Sequence, residues 1–432
     1  MNLSTRDKKI IWHPFTQEQT AQLPLPIKKA QGSYLYDYQD KSYLDLISSW
    51  WVNLHGHAHP EIAKAIYQQA LSLEHVIFAG FTHEPAVKLC EELQNILPSN
   101  LQRFFFSDNG STAVEVALKM AYQYWYNQGE KQRSIFMSFD GGYHGDTFGA
   151  MSVGKKSGFH NQFNQLLFEV LTIPYPATWD NDAQLQIKEQ QALYQLDTQL
   201  KSHGQQVAAI ILEPLIQGAS GMRMCRPQFI QDVVRLVKKY DILVIFDEIM
   251  TGFGRTGTNF ACDQINIAPD FICLSKGITG GFLPLAVTVT TNHIYQAFLS
   301  QQWDKAFAHG HSYTANPIAC AAGVKSLELL LHQETQNAIQ NINKVHRNGI
   351  KFLNENCRDK IKETRIQGTI AAFALNSDIN KNSWLKTAFL EQGLLIRPLG
   401  NTIYLLPPYS VNSLELNRTY QIICEVITRC NI

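Results

Sequence analysis

The chain of 432 residues has 37 lysine plus arginine and 37 aspartate plus glutamate residues, so its formal net charge is zero. This balance removes the electrostatic argument for nucleic acid or an anionic membrane as the main partner and favours small molecules. No apolar run approaches the ~20 residues that cross a bilayer, and the charged N-terminus lacks an apolar signal segment. The eight cysteines show no CxxC pairing. We therefore expect a cytoplasmic protein in a reducing compartment.

The order of the predicted elements indicates the fold class. Short strand-like runs with turn signals predict a small β-containing lobe before Pro60, and helical and strand patterns alternate after it. RSIFMSF, VAAIIL, DILVIFDE and FICLSK read as successive strands with helices between them. This alternation is typical of an α/β protein with a mostly parallel, doubly wound sheet. From Asn316 a long helix leads into a second α+β segment.

Two polar residues stand at the ends of two of these strands. Asp247 lies near the end of DILVIFDE, and Lys276 ends FICLSK. Both should reach the carboxyl edge of the sheet, where open α/β sheets bind ligands. A lysine against an apolar wall can lose its proton and form a Schiff base with an aldehyde cofactor, and a buried carboxylate can keep a pyridinium nitrogen charged. The pair indicates pyridoxal phosphate (PLP) chemistry, with a strand cap and a solvated charge as the alternative.

Two turns could complete such a site. Gly110 and Ser111 precede a helix predicted to begin near Thr112, so their N–H groups and the serine hydroxyl could hold a phosphate; the alternative is a plain N-cap. Tyr143 and His144 follow a strand within GGYHGD, where an aromatic ring could stack on a flat cofactor. The alternative there is a core tyrosine in a glycine-rich turn.

Two further motifs point to other classes of protein. GFGRTG (252–257) matches the GxGxxG pattern of nicotinamide-dependent oxidoreductases, but no helix follows at once and no acidic residue stands ~20 residues further on. We expect a tight loop that carries Arg255. His55, His57 and His59 alternate, which would place three imidazoles on one face of a strand as metal ligands. The flanking glycine and proline favour a loop, and we expect no metal.

Aromatic and basic residues near both ends of the chain are candidates for substrate binding. Trp50 and Trp51 can wall a flat pocket, although adjacent tryptophans are more often core or interface residues. Arg397 can hold a carboxylate bidentately, with Tyr404 and Tyr409 close in sequence. A surface arginine is the alternative.

A series of motifs over nearly the whole chain resembles the class III, fold type I, PLP-dependent aminotransferases. They are IWHPFT (11–16), SSWW (48–51), HG and HP within 55–60, SDNGSTAVEVALKMA (107–121), GGYHGDTFGAMSV (141–153), IILEPLIQGASGMRM (210–224), DEIMTGFGRTG (247–257), LSKGITGG (274–281), NP (316–317) and IRPLGNTIYLLPPY (396–409). The resemblance implies a large PLP-binding domain and a small α+β domain built from both termini. We predict a large domain at 60–325 and a small domain from 1–59 and 326–432.

The resemblance also implies the roles of the cofactor site. Lys276 forms the Schiff base with PLP, Asp247 pairs with the pyridine nitrogen, and Tyr143 stacks on the ring; these three are the implied catalytic residues. The implied cofactor-binding residues are Gly110, Ser111, Tyr143, Glu213, Asp247, Ile249, Lys276 and Ser312. Ser312 lies in GHSYTANP (310–317), which matches a loop that reaches the partner's phosphate across a homodimer interface.

Met250 replaces a glutamine that many class III members carry, and together with SSWW, YHGD and IRPLG it resembles the members that act in biotin biosynthesis. The implied reaction is ping-pong amino transfer from S-adenosylmethionine to 8-amino-7-oxononanoate, giving 7,8-diaminononanoate. Lysine as donor remains open, because Phe15 stands where the family usually has tyrosine. Another ω-aminotransferase, acting on ornithine, 4-aminobutyrate or a diamine, also remains open. The implied substrate residues are Trp50, Trp51, Tyr143, Asp146, Gly310, Arg397 and Tyr404.

Overall fold

The computed structural model describes residues 2–154, 161–376 and 382–429. Its strands are β1 (Ile27–Gln31), β2 (Tyr34–Asp37), β3 (Ser42–Asp45), β4 (Leu101–Ser107), β5 (Ile135–Phe139), β6 (Val170–Ile173), β7 (Val207–Leu212), β8 (Ile216–Gln217), β9 (Arg223–Met224), β10 (Leu243–Asp247), β11 (Phe271–Leu274), β12 (Ala286–Thr291), β13 (Ile361–Gln367), β14 (Ile370–Leu375), β15 (Leu394–Leu395) and β16 (Thr402–Leu405).

The helices alternate with these strands in the middle of the chain and dominate its last third. They are α1 (Leu3–Asp7), α2 (Ser48–Trp51), α3 (Pro60–Ser72), α4 (Glu84–Ile96), α5 (Gly110–Asn127), α6 (Phe148–Val153), α7 (Leu185–His203), α8 (Pro227–Lys238), α9 (Ala261–Ile265), α10 (Asn292–Gln296), α11 (Pro317–Leu331), α12 (Gln333–Asn356), α13 (Asn382–Glu391) and α14 (Ser413–Arg429). Within the described ranges, none of them has the length and apolar character needed to cross a bilayer.

A seven-stranded sheet, counted over the described residues, has the order β4-β12-β11-β10-β7-β5-β6. β10 pairs in parallel with β11 and β7, β5 pairs in parallel with β7 and β6, and β12 runs antiparallel to β11 and β4. Every residue of β7, β10 and β11 is buried, as expected for parallel strands covered on both faces. The predicted α/β class with a mostly parallel sheet is confirmed.

The two ends of the chain share a second sheet. Strands β1, β2 and β3 run antiparallel to one another, and β15 joins β3 in parallel, so residues near position 395 pair with residues near position 45. A third sheet, in the order β13-β14-β16, lies in the C-terminal segment. The predicted boundary at 325 falls inside α11. The domain limits stay a prediction.

The turn α2, which carries SSWW, has an unusual backbone. Ser48, Ser49, Trp50 and Trp51 all have positive φ, between 45° and 76°. Left-handed backbone costs residues with a Cβ roughly 1–2 kcal/mol each, and it persists only where surrounding contacts impose it. The contacts here include a hydrogen bond from Ser48 Oγ to the carbonyl of Leu406 (2.8 Å). The C-terminal segment therefore holds this strained turn in place.

Candidate active site

A cavity of about 810 Å³ opens at the carboxyl ends of β10 and β11, next to the N-terminus of α5. Its size lies within the ~300–1,000 Å³ of small-molecule pockets. Among the described residues, Gly310 and Ser312 do not line it, and both are exposed. The other predicted site residues do: Trp50, Trp51, Gly110, Ser111, Tyr143, Asp146, Glu213, Asp247, Ile249, Lys276, Arg397 and Tyr404.

Ser275 separates the end of β11 from a short 3₁₀ turn that begins at Lys276, whose φ is 45°. The Nζ of Lys276 lies 4.9 Å from the centre of the Trp51 ring, and part of the side chain remains open to the cavity. Loss of water lowers the pKa of Lys276 below the usual lysine value, and the nearby charges of Asp247 and Glu213 only oppose this shift. Burial therefore shifts the protonation equilibrium of Lys276 toward the neutral amine, which is the nucleophilic form.

Asp247 is the last residue of β10 and is buried. His144 Nδ1 lies 2.7 Å from one carboxylate oxygen, and the backbone N–H of Ile249 donates to the other (3.1 Å). Burial alone lowers the pKa of His144, but the hydrogen bond and the charge of Asp247 more than offset this, so the net pKa is raised. The pair holds the carboxylate in one orientation. Sequence reasoning placed His144 in GGYHGD but gave it no role.

The N-terminus of α5 is capped by Asn109, whose side chain accepts from the N–H of Thr112 (3.0 Å). Asn109 is therefore the N-cap, which leaves Gly110 and Ser111 in the first turn beside the cavity. A Cβ at Gly110 would lie 2.9 Å from two carbon atoms of Ile249, so only glycine lets Ile249 pack there. Ser111 Oγ lies 2.7 Å from Thr147 Oγ1. First-turn N–H groups and hydroxyls at a helix N-terminus suit a phosphate.

Glu213 connects the loop that carries Tyr143 to this site through backbone hydrogen bonds. Its carboxylate accepts from the N–H of Tyr143 and from the N–H of Gly218, each at 3.0 Å. Burial, opposed by His144, raises the pKa of Glu213 to about 7. The Tyr143 hydroxyl donates to Asp146 (3.0 Å), and burial raises the Tyr143 pKa. These bonds fix the position of the Tyr143 ring on the cavity wall.

The other end of the cavity is aromatic and cationic. The Arg397 guanidinium stacks on Trp50, 4.4 Å from the ring centre, and Phe15 meets Trp50 edge to face at 5.5 Å. The Trp51 indole N–H donates to the Tyr404 hydroxyl (3.1 Å). This end therefore offers a guanidinium for an anion next to apolar walls.

The rival motifs lie in other settings. GFGRTG forms a turn followed by α9 only at Ala261, and its Arg255 is buried and donates to the carbonyls of Pro407 (3.0 Å) and Asn53 (2.8 Å). His55 lies 3.2 Å from Ser326 Oγ, and His57 lies 2.9 Å from an Asp45 oxygen. The described residues contain no group of three His, Cys, Asp or Glu placed to hold a metal ion.

The geometry fits pyridoxal phosphate. Lys276 could supply an amine for its aldehyde, Asp247 could offer an oriented carboxylate to its ring nitrogen, and Gly110 with Ser111 could form a cradle for its phosphate. Ile249 and Tyr143 offer an apolar and an aromatic surface for the two ring faces. Together the fold and the site define a PLP-dependent enzyme of fold type I.

Comparison with known proteins places the chain within that class. Residues 15–427 match the model of the class-III aminotransferases, so the chain belongs to this PLP-dependent family. It is 51% identical over 424 residues to the adenosylmethionine-8-amino-7-oxononanoate aminotransferase of Synechococcus elongatus, covering 96% of this chain and 98% of that protein. The Helicobacter pylori protein of the same name is 39% identical over 439 residues, covering 99% and 98%.

Solved structures agree with these sequence matches. The adenosylmethionine-8-amino-7-oxononanoate aminotransferase of Methanocaldococcus jannaschii superposes with a TM-score of 0.91 at 35% identity, covering 100% of this chain and 99% of that chain. An omega transaminase from Pseudomonas jessenii, solved in complex with PMP, superposes with a TM-score of 0.91 at 25% identity, covering 99% and 97%. The roles of the individual site residues stay predictions.

Proposed function

We propose that this aminotransferase transfers an amino group from S-adenosylmethionine to 8-amino-7-oxononanoate and forms 7,8-diaminononanoate, a step of biotin biosynthesis. The names of the relatives support the substrates. The observation that carries the proposal is the position of Arg397: it lines the same cavity as Lys276 and stacks on Trp50. A guanidinium there suits the carboxylate at the end of the 8-amino-7-oxononanoate chain.

Residues that line the cavity can be given roles in this proposed amino transfer. When bound, PLP supplies an electron sink for the carbon that loses its proton. Lys276 Nζ, whose pKa burial lowers, takes the proton from the donor's α-carbon and later returns one to the acceptor carbon. Asp247, oriented by His144, keeps the ring nitrogen charged. Trp50 and Trp51 exclude water from the apolar chain of the acceptor.

The loop at 310–317 supports a homodimer with active sites at the interface. Gly310 and Ser312 are exposed and lie outside the cavity lining of their own chain, and the Tyr313 ring is exposed as well. We propose that this loop contacts the phosphate site of a second copy. Sedimentation of the holoenzyme should give twice the chain mass; a monomer that retains full activity would contradict the proposal.

The free thiols of the described cysteines support a reducing compartment such as the cytoplasm as the place of action.

The amino donor is tested in the first half-reaction. S-adenosylmethionine or lysine is added separately to the PLP-loaded enzyme without acceptor, and the visible absorbance of the cofactor is followed. We expect S-adenosylmethionine to remove the visible band, and 8-amino-7-oxononanoate to restore it. Bleaching by lysine alone would assign the other donor. Failure of both, with bleaching by ornithine, 4-aminobutyrate or a diamine, would assign a different ω-aminotransferase.

A further inference from the structure

Two thiols meet where α12 packs against α14. Cys357 directly follows α12, and Cys424 lies within α14. Their sulfur atoms are 2.7 Å apart. This separation is longer than the ~2.05 Å of a disulfide bond, but it is well inside the ~3.5–4.0 Å at which even the smaller carbon atoms make their best non-bonded contact. The two sulfurs would have to approach by about 0.65 Å to form a disulfide bond.

The helix pairing that places the thiols together is fixed by other contacts. His346 Nδ1 of α12 lies 2.7 Å from the Tyr420 hydroxyl of α14. The Tyr420 ring packs so closely on Gly349 that a Cβ at position 349 would lie 2.2 Å from it. Tyr420 lies one helical turn before Cys424, so these contacts set the register of the two helices at the thiols. The packing of α12 on α14 therefore brings Cys357, the C-cap residue of α12, close to Cys424.

The two thiols differ in their access to solvent. Cys357 is buried, and Cys424 is half-buried. A reagent in solution therefore has better access to Cys424 than to Cys357, with which Cys424 is in contact. This is the arrangement of an entry thiol next to a resolving thiol.

We infer that Cys357 and Cys424 are a reversible disulfide site that reacts with a low-molecular-weight disulfide such as oxidised glutathione. The Cys424 thiolate attacks that disulfide, forms a mixed disulfide and releases one small thiol. Cys357 then loses its proton and attacks the Cys424 sulfur, which releases the second small thiol. Two S–H bonds of the protein become one S–S bond, and two electrons and two protons pass to the small disulfide. In a reducing compartment the pair returns to thiols.

Trypsin isolates the two cysteines, which makes the linkage directly observable. Cleavage after Lys351 and Arg358 releases FLNENCR (352–358), and cleavage after Arg418 and Arg429 releases TYQIICEVITR (419–429). Each peptide holds one cysteine. The holoenzyme is incubated with oxidised glutathione, its remaining thiols are alkylated, and the digest is analysed by mass spectrometry with and without dithiothreitol.

The expected result is a species in which these two peptides are joined with the loss of two hydrogen atoms, and which dithiothreitol separates. The variant Cys424→Ser should lose it. The matched control Cys90→Ser, which changes another half-buried cysteine, should retain it. Complete alkylation of Cys357, or Cys424 that carries only glutathione, would overturn the inference. The measurement needs no activity assay, so its outcome is independent of the proposed substrates.

Discussion

The two ends of the active-site cavity are held in different ways. At the cofactor end, Asp247 is the last residue of β10, Lys276 lies two residues beyond the end of the adjacent strand β11, and Asp247 is 4% exposed. At the substrate end, Phe15 and Trp50 are 51% and 36% exposed, and Arg397 follows a two-residue strand. Under the proposed roles, the chemistry rests on residues at the ends of buried strands, whereas substrate recognition involves partly exposed residues near both ends of the chain.

At the substrate end, hydrogen bonds to residues far away in the sequence hold a strained backbone turn in place. The left-handed turn that carries Trp50 is tied to the C-terminal segment through Ser48 and Leu406. Arg255 is fully buried and donates hydrogen bonds to the carbonyls of Asn53, in the N-terminal segment, and Pro407, in the C-terminal segment. We therefore expect mutations at the cofactor end to lower kcat and mutations at the substrate end to raise KM.

The largest effect is expected at Lys276. Replacement by alanine removes the amine that carries the proton, and we expect kcat to fall by about 10⁴-fold or more. Lys276→Arg keeps a long basic side chain and should be equally inactive, because a guanidinium does not lose its proton. Single-turnover measurements would check this. A variant that transaminates at the wild-type rate would contradict the assignment.

The same lysine gives a pH dependence. Burial lowers the pKa of Lys276 below the ordinary lysine value of 10.5, so the neutral amine is present at lower pH than in free lysine. Capture of PLP by the apoprotein, followed by absorbance, should therefore rise with pH with a midpoint below pH 10.5. A midpoint at or above that value would show that burial does not tune this amine.

Asp247 and His144 separate direct from indirect action at the cofactor end. Asp247→Asn keeps the shape of the side chain but removes its charge, and we expect kcat to fall by about 10²–10³-fold. His144→Gln keeps a hydrogen-bond donor to Asp247 and should reduce kcat by only about 10-fold. In both variants the acceptor KM should change little. Equal losses in the two variants would give His144 more than a positioning role.

The cofactor end was largely predictable from the sequence. Buried parallel strands appear as continuous apolar runs, so the polar residues that end DILVIFD and follow FICL stand out. The pairing of His144 with Asp247 was not predictable from spacing, because the two lie 103 residues apart and meet only in the folded sheet. The capping role of Asn109 was missed because Gly110 and Ser111 offered the same turn chemistry.

The residues of the substrate end were predicted mainly from the resemblance to a family. Nothing in the local pattern of SSWW predicts a left-handed turn, since both serine and tryptophan disfavour positive φ. That backbone follows from contacts with residues about 350 positions later, such as Leu406. The burial of Arg255 was also not predictable, because the GFGRTG pattern indicates a turn but not the carbonyls to which the arginine donates.

Arg397 tests the substrate end. Arg397→Met keeps a long side chain that can pack on Trp50 but removes the charge, and we expect the KM for 8-amino-7-oxononanoate to rise by roughly 10–100-fold, the loss of one charge-assisted contact. The kcat should fall much less. Lys386→Met removes a nearby cation that does not line the cavity and should leave this KM within about 2-fold. A fall in kcat without a change in KM would place Arg397 in the chemistry instead.

The smallest effect is expected at Phe15, and it bears on the choice of amino donor. Phe15 has φ of 49°, lines the cavity and meets Trp50 edge to face. Phe15→Tyr keeps this ring contact and adds one hydroxyl at the position where the family usually has tyrosine. A single neutral hydrogen bond should lower the KM for the amino donor by about 2–10-fold and leave the acceptor KM unchanged. Phe15→Leu is the control that removes the ring, and it should weaken the binding of both substrates because Trp50 loses its neighbour.

Steady-state kinetics with S-adenosylmethionine and with lysine would separate the cases. A lower KM for one donor alone would place that donor beside residue 15. Equal changes in the KM of donor and acceptor would mean that Phe15 acts only through the position of Trp50.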